Sequence, residues 1–309
     1  MKKGFMNKIK PLERRICSLC GESVKLSIIY NGLIRSGGIG SEFVDGYKVI
    51  ECASCGFTYL NRVPDDIQLF YESNAYRESF DYKIDISSMQ QKFDPDQNER
   101  IERIGIENIR DSVVADFGAG PGVFIDAIRS VARNTIVVEP SEKYRGYLTD
   151  RGHECYPYVE QMLEKHKGMI DVAVSFDTIE HILDANDFAK KIYQALNVGG
   201  VLYLSMPNLD DVVRSICPIE YEPFFFQVAH LNYFNKKSAC HLLRNAGFKD
   251  VSVDYIHKYD INNIFRWIKS GKPGRFNSGA VFDRAFHSHF NVEVERLGVA
   301  SHLFITATK

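Results

Sequence analysis

One feature constrains this chain most: a short apolar strand that runs straight into a glycine-rich turn and then a helix. The strand is Val113-Val114-Ala115-Asp116 and the turn is Asp116-Phe117-Gly118-Ala119-Gly120-Pro121-Gly122. The helix is expected over Val123 to Val131, with Phe124, Ile125 and Ile128 facing inward. Glycines allow a sharp turn and let a ligand approach the backbone where a Cβ would otherwise stand. Strand, turn and helix in this order are the context of a nucleotide-binding loop. The dehydrogenase spacing Gly-x-Gly-x-x-Gly fails, because its third position falls on Val123 counted from Gly118 and on Ile125 counted from Gly120. No Gly-Lys-Ser/Thr follows, which excludes a phosphate-binding P-loop.

The rest of the chain alternates in the same way. Strands are expected at Thr135 to Glu139, Asp171 to Phe176, Val201 to Met206, Val251 to Ile256 and Ser301 to Thr308. Helices are expected at Glu142 to Asp150, Asp187 to Leu196 and Lys236 to Ala246, with Asn197-Val198-Gly199-Gly200 as a closing turn. Asp94-Pro95-Asp96 reads as the start of an earlier helix carrying Ile101, Ile104 and Ile109 on one side. This alternation predicts a largely parallel sheet with helices on both faces.

At 309 residues, 45% hydrophobic and 25% charged, the chain is long enough for a substantial core and ordinary in composition. A formal net charge of -2 supplies no global attraction to nucleic acid or an anionic membrane. The segment Met1-Lys2-Lys3-Gly4-Phe5-Met6 has no apolar run behind it, and nothing approaches the roughly 18 apolar residues of a membrane span. The expectation is a cytoplasmic protein.

The acid-x-Gly-x-Gly-x-Gly turn resembles motif I of the class I methyltransferases that use S-adenosylmethionine (SAM). Glu139 ends the next strand about 20 residues on, where an acid accepts hydrogen bonds from both ribose hydroxyls. Asp171 to His181 resembles the family's fourth-strand motif, and Leu196-Asn197-Val198-Gly199-Gly200-Val201-Leu202 its turn into the fifth strand. The resemblance implies a Rossmann-like, seven-stranded α/β domain. It implies cofactor contacts from Asp116, Gly118, Ala119, Gly120, Gly122, Glu139 and Pro140, with Tyr158 and Asp177 nearby. Asp177 and Glu180 are read either as cofactor or substrate contacts or as caps of the following helix.

Ahead of this domain stand two Cys-x-x-Cys-Gly knuckles, Cys17-Ser18-Leu19-Cys20-Gly21 and Cys52-Ala53-Ser54-Cys55-Gly56. Four thiolates make a closed tetrahedral zinc site with no open position for water, hence a structural metal. The other three cysteines read as small core residues. The expected organisation is a zinc-binding domain over 1–71, a linker or substrate-side segment over 72–95, and the SAM domain over 96–309.

The knuckles, followed by Gly56-Phe57-Thr58-Tyr59-Leu60-Asn61-Arg62-Val63-Pro64, then Phe70-Tyr71 and Ala75-Tyr76, resemble zinc-binding methyltransferases of deoxysugar and surface-polysaccharide pathways. Relatives there carry a Glu-His-x-x-Tyr-Phe motif whose His acts in substrate deprotonation. The matching stretch is Ala229-His230-Leu231-Asn232-Tyr233-Phe234, with Ala229 in place of the glutamate. That departure, and the lack of room for those relatives' further C-terminal domain, favour O-methylation of a sugar or glycan hydroxyl over C-methylation of a nucleotide-linked ketosugar. His230 is the first candidate base and His181 the second. Tyr76, Glu180, Tyr221 and Tyr233 are candidate sugar contacts, and Phe224-Phe225-Phe226 is expected to line or cover the pocket. Two alternatives stay open. The acceptor is a non-sugar metabolite, since the Glu180-His181 region also resembles quinone-pathway enzymes, or the protein is a non-catalytic zinc-dependent binding module. The acceptor, and not nucleic acid, is the expected partner; oligomeric state is not legible.

Overall fold

The computed structural model describes residues 12–13, 16–21, 26–37, 41–63, 86–273 and 282–309. The chain divides into two compact units. One comprises 1–65, 205–241 and 253–304, and the other 66–204, 242–252 and 305–309.

In the first unit the strands are short, as expected of a segment broken by glycines. They are β1 (Leu12–Glu13), β2 (Leu26–Tyr30), β3 (Ile34–Arg35), β4 (Phe43–Val44), β5 (Val49–Cys52), β6 (Thr58–Leu60) and β7 (Arg62–Val63). β1 pairs with β7, and β3 with β4, both antiparallel. β2, β5 and β6 form an antiparallel meander, and its outer edge is occupied by Asn232–Tyr233 from much later in the chain.

The alternation of strands and helices begins in the second unit. After helices α1 (Ile86–Ile104) and α2 (Ile106–Ile109) come β8 (Val113–Phe117), α3 (Val123–Ile128), β9 (Asn134–Val138), α4 (Glu142–Asp150), β10 (Glu154–Tyr156), α5 (Val159–His166) and β11 (Ile170–Phe176). A 3-10 turn at Ile179–His181 leads to α6 (Ala185–Ala195) and β12 (Leu196–Pro207). The chain continues through α7 (Val212–Ile216), α8 (Pro218–Phe225), β13 (Asn232–Tyr233), α9 (Lys236–Ala246), β14 (Lys249–Ile256), α10 (Ile261–Ser270), α11 (Arg284–Arg296) and β15 (His302–Thr308). The seven-stranded sheet has the order β10-β9-β8-β11-β12-β15-β14. Its β10/β9, β9/β8 and β8/β11 ladders are all parallel. A parallel pair cannot be closed by a tight hairpin, so a crossover segment, here carrying a helix, must lie between successive strands. Among the described residues no helix is long and apolar enough to cross a membrane.

This order explains the setting of the glycine-rich turn. From β8 the chain moves outward through β9 to β10, then returns to place β11 on the other flank of β8. The connections leaving β8 and β11 diverge, opening a crevice at the carboxyl end of β8. The glycine-rich turn begins there.

Two local expectations are corrected. The helix begins at Ile86 and passes through positions 94–96, so Asp94-Pro95-Asp96 lies within it. Asn197-Val198-Gly199-Gly200 belongs to β12. Gly199 donates its N–H to the Lys309 carbonyl at 3.2 Å and Gly200 accepts from Lys309 at 3.0 Å. That pairing with the last residue is a long-range effect which local turn preference does not register, although Gly199 keeps φ 84°.

The first unit has its own core, in which Trp267 is fully buried among Ile34, Leu60, Tyr221, Phe225, Phe226 and Tyr233. Its ring stands edge-on to Tyr221 at 5.1 Å and to Phe224 at 4.9 Å. The aromatic cluster thus joins residues 34–60, between and around the cysteine pairs, to residues 209–233 and 264–267 in one hydrophobic body. Trp267→Ala should cost about 3–5 kcal/mol, the range for truncating a buried large aromatic. Chemical denaturation checks this, and a cost below about 1 kcal/mol would mean the ring is not packed as described.

Candidate functional site

The turn after β8 is built from bare backbone. Gly118 has φ 87°, and a Cβ there would lie 2.4 Å from the Thr178 side chain. Gly122 has φ 75°, starts α3, and would clash with Leu148 at 2.2 Å if it carried a side chain. Both positions combine a left-handed backbone with a close neighbour, so any L side chain is refused twice over. Gly118 donates to the Val138 carbonyl at 2.7 Å, tying the turn to the end of β9.

Glu139, one residue beyond β9, makes the second tie. Its Oε2 accepts the Gly120 N–H at 2.8 Å and its Oε1 accepts the Ser141 N–H at 2.9 Å. The carboxylate is buried. Its own carbonyl and that of half-buried Pro140 accept from the Arg145 guanidinium. Tyr158 is 37% exposed at the start of α5.

Asp116, in β8, is 3% exposed. Burial pushes its pKa up to about 7; Arg100 pulls in the opposite direction and Glu139 adds to the rise. Arg100 also bonds Asp177 at 3.1 Å and lies over the Phe176 ring at 4.4 Å, so one guanidinium serves the ends of two adjacent strands. Asp177 adopts φ 51° directly after β11. Glu180 is buried in the 3-10 turn, with His181 Nε2 at 4.0 Å from its Oε1. Neither Asp177 nor Glu180 caps α6. That role falls to Asp184, which accepts the Asp187 N–H at 2.9 Å.

The four knuckle cysteines converge in the first unit. Sγ of Cys17 and Cys55 are 3.6 Å apart, as are those of Cys20 and Cys52, and all four lie within 4.8 Å of one another. Tetrahedral Zn–S bonds of about 2.3 Å require sulfur separations of roughly 3.8 Å, so the set fits such an ion. Each knuckle closes identically: Gly21 donates to the Cys17 carbonyl and Gly56 to the Cys52 carbonyl, both at 2.8 Å, with φ 73° at both glycines.

The remaining candidates divide. His230, in the first unit, is half-buried and hydrogen-bonded through Nε2 to the Gln227 carboxamide. His181 belongs to the second unit. Tyr221 and Tyr233 are buried with their hydroxyls bonded to protein, Tyr221 donating to Asp211 at 2.7 Å and Tyr233 to the Gln227 carbonyl at 3.1 Å. Phe225 and Phe226 are core residues packed on Tyr233, and Phe224 sits under the Arg35 guanidinium, which corrects the expectation that they line a pocket. Tyr76 lies outside the described residues. Sequence reasoning missed Arg100, Ser141, Arg35 and Gln227. Only Gln227, a turn's length ahead of His230, carried a local signal.

Residues 89–253 match a family model described as a methyltransferase domain. Over 147 residues the chain is 32% identical to a probable S-adenosylmethionine-dependent methyltransferase of Mycobacterium tuberculosis, covering 45% of this chain and 50% of that protein. A probable S-adenosylmethionine-dependent methyltransferase of Mycolicibacterium smegmatis is 32% identical over 101 residues, 31% of this chain and 38% of that one. The chain thus spans half or less of the length of these curated relatives. A SAM-dependent methyltransferase structure from Archaeoglobus fulgidus is similar at TM-score 0.51 and 14% identity, over 77% of this chain and 100% of that one. That is a likeness of fold.

The buried Asp116 carries a pH signature. With a folded pKa of about 7 against an unfolded value of about 3.9, it is protonated when folded and ionised when unfolded between them. The folded state binds the extra proton, so this contribution is full below about pH 4 and is lost as pH rises through about 7, by about 1.4 kcal/mol per unit. Asp116→Asn should remove that slope. Denaturation midpoints compared from about pH 5 to about 7.5 should show the variant gaining on the wild type; a constant gap would rule out the raised pKa.

Proposed function

The chain belongs to the methyltransferase-domain family, and from that premise we propose that it transfers the methyl group of SAM to a sugar hydroxyl. The acceptor is a nucleotide-linked sugar or a glycan. The observation that carries cofactor binding is the turn itself: Gly118, Gly120 and Gly122 leave bare backbone at positive φ, and the Glu139 carboxylate, just past the next strand where an acid meets a ribose diol, holds Gly120 in place. Asp116 and the first turn of α3 would meet the amino-acid end of the cofactor. When bound, SAM supplies an already activated methyl group on a sulfonium, so the protein's task is chiefly alignment.

A sugar hydroxyl is a weak nucleophile, and a histidine that takes its proton as the new bond forms lowers the barrier. The resemblance of His230-Leu231-Asn232-Tyr233-Phe234 to the sugar-methylating enzymes supports His230 in that role, with His181 as the second candidate. The sugar assignment rests on the same resemblance and on the cysteine knuckles. Isothermal calorimetry should give a SAM Kd of about micromolar strength, roughly -8 kcal/mol. Glu139→Ala should weaken it by about 10- to 100-fold, the worth of one charged acceptor. Labelled SAM with a panel of nucleotide sugars should identify the acceptor, and on it His230→Ala should lose about 100-fold or more in turnover with SAM affinity unchanged. Absence of SAM binding by the intact protein would end the enzymatic reading. Binding without transfer to any sugar would move the acceptor to another class.

We also propose that Cys17, Cys20, Cys52 and Cys55 hold a structural zinc ion. Four protein ligands saturate it, so its contribution is to folding. Elemental analysis should find about one zinc per chain. Cys52→Ser and chelation should both lower the melting temperature. Metal-free protein of unchanged stability would refute the assignment.

A further inference from the structure

Helices α10 and α11 of the first unit expose apolar side chains that its core does not use. α10 seats Ile264 and Trp267 inward, where both are buried, yet its Phe265 and Ile268 are 40% and 56% exposed. Phe265 stacks on Phe282 with ring centroids 5.4 Å apart, and Phe282 stacks on Phe286 at 4.4 Å. Phe286, in the first turn of α11, is 47% exposed. Ile268 stands one helical turn from Phe265, so the four side chains make one patch. Single exposed apolar residues are common on any protein surface, whereas a contiguous patch marks a surface that something else covers.

The same stretch of chain is basic. Residues 258–289 carry six Lys and Arg against two acids, Asp260 and Asp283, in a chain whose formal net charge is -2. Lys269 stands one turn beyond Phe265, and Lys272 follows the end of α10 at Gly271. Both lysines are exposed, and neither has a carboxylate partner among the described residues. The two acids are engaged as helix caps, Asp260 accepting the Asn263 N–H at 2.9 Å and Asp283 the Phe286 N–H at 2.8 Å. A third acid, Glu220 of α8, brings its side chain beside Gly271. The patch therefore joins uncovered rings to uncompensated cations.

We infer that this face docks the protein on the surface of an anionic lipid bilayer. Phe265, Ile268 and Phe286 enter the boundary between headgroups and acyl chains, and Lys269 and Lys272 meet the lipid phosphates. Apolar side chains flanked by cations suit that interface: the first lose water contact there, and the second gain from the negative surface potential. A second copy of this chain is the poorer occupant, because a symmetric contact would set the same lysines against each other. A patch of this size gives peripheral, reversible attachment. Docking of this kind is independent of which acceptor the protein methylates.

Cosedimentation of the full-length protein with lipid vesicles tests this. The wild type should bind phosphatidylcholine vesicles containing about one-quarter phosphatidylglycerol, bind pure phosphatidylcholine about 10-fold more weakly, and leave the anionic vesicles as salt rises. Ile268→Ser should weaken binding to the anionic vesicles by about 10-fold, the worth of one apolar side chain withdrawn from the interface. Lys269→Glu with Lys272→Glu should weaken it by about 10-fold or more, and Lys269→Arg with Lys272→Arg should keep it. All three positions are exposed, and an unchanged melting temperature confirms that each variant is folded. Wild-type protein that stays in solution with anionic vesicles overturns the assignment, as do folded Ser and Glu variants that bind as the wild type does. In place of vesicle binding, a dimer that Ile268→Ser dissociates would give the face to a second copy. Retention on single-stranded DNA without vesicle binding would give it to nucleic acid, and either result also overturns the assignment.

Discussion

The Glu139 carboxylate joins two successive strand-to-helix turns of the second unit. It accepts one N–H from the turn after β8 and another from the residue that starts α4. A tight glycine turn has many accessible conformations when unfolded, and only a fixed partner selects one of them. Here the partner is a buried charged acceptor, whose hydrogen bonds are stronger than those of a neutral group. The same carboxylate raises the proton affinity of Asp116, which burial has already raised, while Arg100 opposes both. The end of β8 thus holds an electrostatic balance among two acids and one guanidinium, at the point where the strand order turns back on itself.

The first unit rests on different physics. Its strands are two to five residues long, too short to be stable by pairing alone. An aromatic core centred on Trp267 and Tyr221 offsets that weakness, and the zinc ion proposed for the four converging cysteines would add to it. Asp211 shows how closely the core is satisfied. It caps α7 with one oxygen and accepts the Tyr221 hydroxyl with the other, so a buried acid and a buried phenol each find their partner.

Much of this was legible from local sequence. The helices Glu142–Asp150 and Lys236–Ala246 fall where periodicity placed them, because each has a clear apolar face and a defined end. The parallel pairing of the strands around β8 was implied by the alternation; their order was not. The thiol cluster was implied by the two knuckles, since a Cys-x-x-Cys-Gly segment has few ways to fold. The errors fell where distant chain decides the outcome. Pro95 did not mark a helix start, and the Gly199-Gly200 turn was drawn into a strand by its pairing with Lys309. The triple phenylalanine looked like a pocket wall and is mostly core, because Trp267 and Tyr233 arrive from other segments to cover it.

The sequence by itself determined the strand–turn–helix at Asp116 to Gly122, the acid at Glu139 and the paired cysteines. All three are short-range patterns in which spacing alone restricts the backbone and the chemistry. Only the tertiary structure decided that Glu139 grips Gly120, that Arg100 bridges toward Asp116 and Asp177, and that Arg35 and Gln227 frame His230. Apart from the local Gln227–His230 pair, those contacts join residues from 19 to 189 positions apart, where no local preference records the pairing. They exist because burial leaves each polar group with few partners, and folding brings the right one within reach.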